Sequence, residues 1–405
     1  MTNSNIDREL QFGANNYSPL PVVLTRGEGV YVWDDQGNRY LDMMSAYSAV
    51  SHGHCHPQLV EVLRKQAGQL NIVSRAFYTD KLGHFLQRLS ELTGYKRVLP
   101  MNTGAEAVET ALKAARKWAY TVKGVEKDKA EIIACSGNFH GRTIAIVGMS
   151  TEPQYRDGFG PFPDGLRIVP FGDATALEKA ITPNTAVFIV EPIQGEGGIN
   201  VPPEGYLKAC EQICRKHNVL LICDEIQTGL GRTGKLMGYQ HAGIQPDGVT
   251  LGKALGGGIL PVSAFLCGDE VMNVFTPGDH GSTFGGNPLA AVVALEALNI
   301  LVDDELVENA EQLGEYFRES LRNLRSPLIK DVRGQGLLIG VEVDQSVSAR
   351  ELVLQLLPHG LLTKETHGTV IRLAPPLIIT KEQIDTAVEA IRQVLAEAVS
   401  YAKAN

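Results

Sequence analysis

The chain has no excess of positive charge: 37 lysines and arginines face 46 aspartates and glutamates, for a net charge of −9. A protein that grips phosphate backbones carries a basic face, so nucleic acid drops out as an expected partner. Low-complexity tracts are also missing. With 44% hydrophobic and 20% charged residues over 405 positions, the composition is that of a soluble enzyme, not of a disordered or fibrous chain. The opening Met1-Thr-Asn-Ser-Asn-Ile-Asp-Arg-Glu-Leu10 has no apolar core and carries acids. Neither a secretory leader nor a transit peptide is visible, and the expectation is a cytoplasmic protein without a membrane partner. Six cysteines (55, 135, 210, 214, 223, 267) are scattered. Cys135 and Cys223 lie in apolar runs, where a reduced thiol acts as a small hydrophobe. Cys210 and Cys214 fall four apart on an expected helix, with no second pair at zinc spacing, so neither disulfides nor a zinc centre is predicted.

What the chain does have is a set of short apolar runs, each ending in a polar or glycine-rich turn. Ile132-Ile-Ala-Cys135, Ala186-Val-Phe-Ile-Val-Glu191 and Val219-Leu-Leu-Ile-Cys-Asp224 read as parallel strands covered on both faces. Helical stretches, among them 105–120 and 203–216, alternate with them, which predicts an open α/β sheet. Ligands of such sheets gather at the carboxyl ends of strands, where Glu191, Asp224 and Lys253 fall. From about residue 290 long amphipathic helices (290–301, 306–324) lead to Val332–Val343 and a closing helix from Lys381, which reads as a smaller lobe. Val30–Asp42 alternates around Asp35-Gln-Gly-Asn38 and predicts a hairpin that joins this lobe.

Lys253 follows the apolar Val249-Thr-Leu251 inside a glycine-rich string, and Asp224 ends a buried strand. A lysine so placed can bond to an aldehyde cofactor, and such an aspartate can hold the proton of a pyridinium nitrogen; together they read as a pyridoxal phosphate site. Singly, Lys253 is one solvated lysine among many and Asp224 a helix cap. Asn102-Thr-Gly-Ala-Glu106 opens a helix whose free amides at Gly104 and Ala105 can hold a phosphate, or forms a plain capping turn. Phe139-His-Gly-Arg142 offers a stacking ring and a cation near the same edge; a core aromatic and a surface ion pair are the plainer readings. His52-Gly-His54-Cys55-His56-Pro57 has zinc-type donors, yet Pro57 suits the first turn of a helix, so a tight turn without metal is expected.

Asp224-Glu-Ile-Gln-Thr-Gly-Leu-Gly-Arg-Thr-Gly234 and Pro246-Asp-Gly-Val-Thr-Leu-Gly-Lys-Ala-Leu-Gly-Gly-Gly258 closely resemble the signature of the class III (ω-amino acid) pyridoxal phosphate aminotransferases. Asn102–Glu106, Phe139–Arg142, Glu191-Pro-Ile-Gln-Gly-Glu196, Gly281-Ser-Thr-Phe-Gly-Gly-Asn287 and Arg372-Leu-Ala-Pro-Pro376 match in the same order, so the resemblance spans essentially the whole chain. It implies the α/β fold-type I architecture: a large domain (56–295) around a mostly parallel sheet that binds the cofactor, and a smaller α+β domain built from both termini (1–55 and 296–405). It further implies that Lys253 bonds to pyridoxal 5'-phosphate and shuttles a proton, and that Asp224 pairs with the ring nitrogen. Gln227 would contact the ring hydroxyl, and Phe139 would stack on the ring beside His140. Gly104, Ala105 and Ser282 would serve the phosphate with Thr283 of a neighbouring subunit, making a homodimer or larger assembly with shared sites.

Asn16-Tyr-Ser-Pro-Leu-Pro-Val22 and Ser45-Ala-Tyr-Ser-Ala-Val50 resemble the members that act on L-ornithine. Those acting on N-acetylornithine usually carry a Gly-Ile-Ala-Val type of segment at Tyr47–Val50. The implied reaction moves the δ-amino group of L-ornithine to 2-oxoglutarate. Tyr17, Tyr47 and Arg142 would receive ornithine, and Arg372 would receive the keto acid, shielded by Glu196 until it arrives. N-acetylornithine or 4-aminobutyrate as amino donor is the alternative, with Tyr17 and Tyr47 as the discriminating residues. A catalytically silent protein on the same fold is disfavoured, because lysine, aspartate, phosphate turn and both arginines occur together.

Overall fold

The computed structural model describes residues 4–404. Its central sheet has seven strands in the order Arg97–Met101, Ser263–Cys267, Gly248–Leu251, Leu220–Asp224, Thr185–Val190, Glu131–Cys135, Leu166–Val169. The three apolar runs pair in parallel, as their composition predicts. All of Thr185–Val190 is buried. Successive side chains there point to opposite faces, so Val187 and Ile189 enter one core while Phe188 and Val190 enter another. Only Ser263–Cys267 runs against its neighbours. Arg97–Met101 is antiparallel to it in turn, and the six other strands therefore send their carboxyl ends to a single edge.

A four-stranded sheet joins Leu24–Glu28, Tyr31–Asp34 and Arg39–Asp42 to Leu361–Leu362, and the last pair is parallel, Leu361 beside Leu41. The expected hairpin forms with Tyr31 opposite Leu41. The Asp34 carboxylate closes its turn, accepting from the Gln36 and Asn38 amides at 3.0 and 2.8 Å and from the Tyr40 hydroxyl at 2.9 Å. Burial alone would raise its pKa, but these donors hold it below the usual carboxylate value. A third sheet orders Ile329–Gln335, Leu338–Val343, Val370–Leu373 and Lys364–Thr366.

Two helices differ from expectation. The one expected from 203 begins at Tyr206, because Gly205 takes a left-handed turn (φ 78°) that an incoming helix cannot contain. The one expected over 105–120 runs as an α-helix over Gly104–Trp118, then widens into a π-turn over Ala119–Lys123.

The expected tight turn at the histidines is present. Helix Pro57–Ala67 starts on its proline, His52 bonds to the Ala297 carbonyl at 2.8 Å and His54 to Asp42 at 2.7 Å. Among the described residues no group of three or more His, Cys, Asp or Glu side chains is placed to hold a metal ion. Likewise, no helix among them is long and apolar enough to cross a membrane. The six cysteines are free, and all but Cys55 are buried.

Ser45, Ala46, Tyr47 and Ser48 all have left-handed φ, at 42°, 47°, 59° and 74°. Such a run costs roughly 1–2 kcal/mol per residue and persists only when its surroundings enforce it. Here Asp42 accepts from the Met44 and Ser45 amides, and the Ser45 hydroxyl donates to the Ala374 carbonyl at 2.6 Å. Arg232, fully buried, donates to Ser45 Oγ, Ser51 Oγ, the Leu337 carbonyl and the Pro375 carbonyl at 3.3, 3.1, 3.0 and 2.6 Å. Replacing Arg232 with Met strips donors from buried acceptors in several segments at once. The urea midpoint of R232M should drop, corresponding to roughly 2–4 kcal/mol of stability.

Candidate active site

The strand ends define the site. Asp224 is the last residue of Leu220–Asp224, Glu191 follows Thr185–Val190, and Lys253 follows Gly248–Leu251 after a single glycine. Lys253 opens a short turn with φ 45°. Together with Gly104, Ala105, Phe139, His140, Glu196 and Gln227 these residues line one cavity of about 210 Å³.

Electrostatics in the cavity is organised around the Lys253 amine. Removal from water lowers its pKa to about 8; Glu196 opposes the shift, Arg372 adds to it, and Asp224 and Glu191 oppose it. Asp224 accepts from Thr250 Oγ1 at 2.9 Å and from the Ile226 amide at 3.2 Å, and lies 2.6 Å from His140 Nδ1. Burial works against a charge on His140, yet the Asp224 partner wins and its pKa is raised. His140 Nε2 and Gln227 Oε1 are buried without a hydrogen-bond partner among the described residues. Glu191 is pushed up to about 7 by burial, partly countered by His140, and its carboxylate receives the Phe139 amide at 3.0 Å.

Helix Gly104–Trp118 begins against this cavity with a capping box: Thr103 Oγ1 accepts from the Glu106 amide at 3.2 Å, and Glu106 Oε2 accepts from the Thr103 amide at 2.7 Å. The box leaves the first-turn amides of Gly104 and Ala105, which have no partner inside a helix, to face the cavity. A helix N-terminus of this kind attracts anions. Ser282 lies beside it, its hydroxyl accepting from Asn102 Nδ2 at 2.7 Å. Thr283 is exposed and does not line the cavity.

Two guanidinium groups stand near the cavity in unlike states. Arg372 is buried, and its Nη1 lies 2.5 Å from Glu196 Oε1, which also receives Gln227 Nε2 at 3.1 Å. Burial would raise the Glu196 pKa, but Arg372 and Lys253 overcome it and hold the carboxyl at about 2. Nε and Nη2 of Arg372 have no partner among the described residues. The Tyr47 ring faces this guanidinium at 5.1 Å, and Lys364 Nζ lies 3.4 Å from the Tyr47 hydroxyl. Arg142 is exposed, stacked 3.6 Å from the centre of the Tyr155 ring and 5.3 Å from that of Phe139. Tyr17 is 73% exposed and stands outside the cavity lining.

Sequence reasoning left several neighbours unassigned. Thr250 was within reach, since it sits in the Pro246–Gly258 motif near a strand end. Tyr155 and Lys364 belong to no motif, and only folding brings them to Arg142 and Tyr47.

Residues 12–395 match the family model described as "Aminotransferase class-III". The chain belongs to the class III aminotransferase family. It is 58% identical to an ornithine aminotransferase of Geobacillus sp. (strain WCH70), over 95% of this chain and 96% of that one. The solved ornithine aminotransferase of Toxoplasma gondii ME49 superposes with a TM-score of 0.97 at 46% identity, covering 99% and 97% of the two chains. The acetylornithine aminotransferase of Elizabethkingia anophelis superposes at 0.89 with 49% identity, covering 98% and 100%.

A pKa of about 8 makes the Lys253 amine of this aminotransferase mostly protonated below that pH and mostly free above it. When cofactor-free protein is given pyridoxal 5'-phosphate and reduced with borohydride, the label found on Lys253 should form about tenfold faster per pH unit up to pH 8 and level off above it. A rate still climbing steeply at pH 10 would mean that the amine keeps an ordinary lysine pKa.

Proposed function

We propose that this aminotransferase transfers the δ-amino group of L-ornithine to 2-oxoglutarate, giving L-glutamate 5-semialdehyde and L-glutamate, with pyridoxal 5'-phosphate as cofactor. The observation that carries the reading is the pair of arginines in unlike states: Arg142 open to solvent, and Arg372 masked by Glu196. An enzyme that takes an amine from one end of ornithine and gives it to the other end of a keto acid needs two carboxylate anchors. Only one of them should be available at a time.

The residues present suit the cofactor. Two unfilled hydrogen-bonding atoms, His140 Nε2 and Gln227 Oε1, lie in side chains that line the cavity, with an anion cradle at Gly104 and Ala105. Bound there, pyridoxal 5'-phosphate supplies an aldehyde to which amines add and a cationic ring that accepts the electron pair of a breaking C–H bond. Asp224, held by Thr250 and His140, would keep a proton on the ring nitrogen. Phe139, which lines the cavity, would pack against the ring face. Arg142 grips the α-carboxylate of ornithine through parallel N–H bonds, which sends the δ-amine to the Lys253 end of the cavity. Lys253 Nζ, with its pKa lowered to about 8, would take the proton from the substrate carbon and deliver it to the carbon that had been the cofactor's aldehyde. Glu196 neutralises Arg372 while ornithine is bound and releases it to a carboxylate of 2-oxoglutarate.

We read the active unit as a homodimer or larger, with Thr283 reaching a neighbour's phosphate site. Its exposure, and that of the large apolar side chains Phe77, Tyr78 and Phe284, supports a covered face. The division into a 56–295 cofactor domain and a 1–55 plus 296–405 domain is supported by the Arg39–Asp42 and Leu361–Leu362 pairing. Free, mostly buried cysteines support the cytoplasm. N-acetylornithine is the second reading, favoured by the 49% identity to the Elizabethkingia enzyme.

Absorption spectra separate the two. Holoenzyme given L-ornithine without keto acid should lose its visible cofactor band and release a product that cyclises, whereas a change with N-acetylornithine alone would transfer the reading to that substrate. A second expectation concerns Glu196. In E196A the unmasked Arg372 should accept the wrong end of an amino acid, raising kcat/KM for L-glutamate as α-amino donor by roughly tenfold; unchanged glutamate kinetics would remove the masking role.

A further inference from the structure

Ornithine differs from N-acetylornithine at its α-nitrogen, a cation in one molecule and a neutral amide in the other, and Tyr17 and Tyr47 offer that cation no carboxylate. A free α-amino acid end carries an ammonium and a carboxylate on the same carbon. A site that reads it must offer an anion beside its cation.

Beside the principal cavity, and sharing Phe139 and Glu196 with it, is a smaller one of about 70 Å³ that is also lined by Glu152, Tyr155 and His367. Arg142 stacks on the same Tyr155 at 3.6 Å. Burial raises the Tyr155 pKa, Arg142 pulls it down, Glu196 and Glu152 push it up and Lys364 pulls it down, which places two cations and two carboxylates around this ring. Glu196 is already committed to Arg372 and Gln227. Glu152 is not. It precedes the short helix Pro153–Arg156, but its side chain caps no amide there. Its own backbone amide is satisfied by Ser150 Oγ at 3.1 Å, and its carbonyl accepts from the Tyr155 amide at 3.1 Å. The carboxylate makes no ion pair among the described residues, so backbone bonds hold the residue in place while its acid group stays open.

We propose that Glu152 binds the α-ammonium of ornithine while Arg142 binds its α-carboxylate, with the Tyr155 ring fixing the gap between them. Glu152 is thus a specificity residue for the free α-amino acid. The inference rests on the proposed ornithine reaction and deepens it. The δ-amine is left unpaired by this grip and extends toward Lys253. N-acetylornithine has no charge to offer Glu152, and 4-aminobutyrate has no nitrogen at that carbon.

The test compares wild-type holoenzyme with E152Q and E152D in single half-reactions with L-ornithine, N-acetyl-L-ornithine and, starting from the amino form of the cofactor, 2-oxoglutarate. Loss of a charged hydrogen bond should lower kcat/KM of E152Q for ornithine roughly ten- to hundredfold, mainly through KM. N-acetylornithine and 2-oxoglutarate should change less than about threefold on the same scale. E152D, which keeps the charge, should recover part of the loss. If E152Q slows both amino donors equally, or leaves ornithine untouched, the inference is overturned while the ornithine reaction stands. A wild-type enzyme that prefers N-acetylornithine overturns both, and does so before any variant is made.

Discussion

Everything in the site is arranged around one amine kept from water at the carboxyl edge of a parallel sheet. Lys253 could not hold a pKa near 8 on an open surface. It does so because burial at the strand ends keeps water from the amine, while three acids of graded character brought to the same edge oppose the shift. Asp224 is fixed by Thr250 and His140, Glu191 is pushed to about 7 by burial, and Glu196 is held at about 2 by Arg372 and Lys253. Move any of these strands out of register by one residue and the side chains would face the opposite layer.

Two arginines near the cavity are set apart by their surroundings in the same way. Arg372 and Arg142 are chemically alike but differ in what surrounds them. One guanidinium is buried against a carboxylate and faced by the Tyr47 ring; the other lies open on a tyrosine. Context, not residue type, sets them apart, and under the proposed function it would let one site receive two substrates in opposite orientation.

The central sheet was legible in the sequence because its strands are continuous apolar runs with few other ways to be buried, and their ends carried Glu191, Asp224 and Lys253 to one edge. The family motifs extended that reading to Gly104, Phe139 and Gln227. Legibility failed where structure depends on backbone conformation or on distant partners. Nothing in Ser45-Ala-Tyr-Ser48 signals four left-handed residues, since no glycine marks them; the conformation is imposed by Asp42, Arg232 and Ala374. Tyr155 under Arg142 and Lys364 on Tyr47 are tertiary meetings that local pattern cannot encode. Helix starts were missed by a few residues where Gly205 turned the chain first.

That left-handed turn also sets an order of events. Tyr47 is made early, yet the bond that helps hold its turn runs from Ser45 to Ala374, near the other end of the chain. A growing polypeptide can complete Lys253 and every strand of the central sheet before the residue that accepts this bond has been made. The left-handed turn that carries Tyr47 is therefore completed late. A chain broken off before residue 374 would retain the lysine but not the bond that holds the turn.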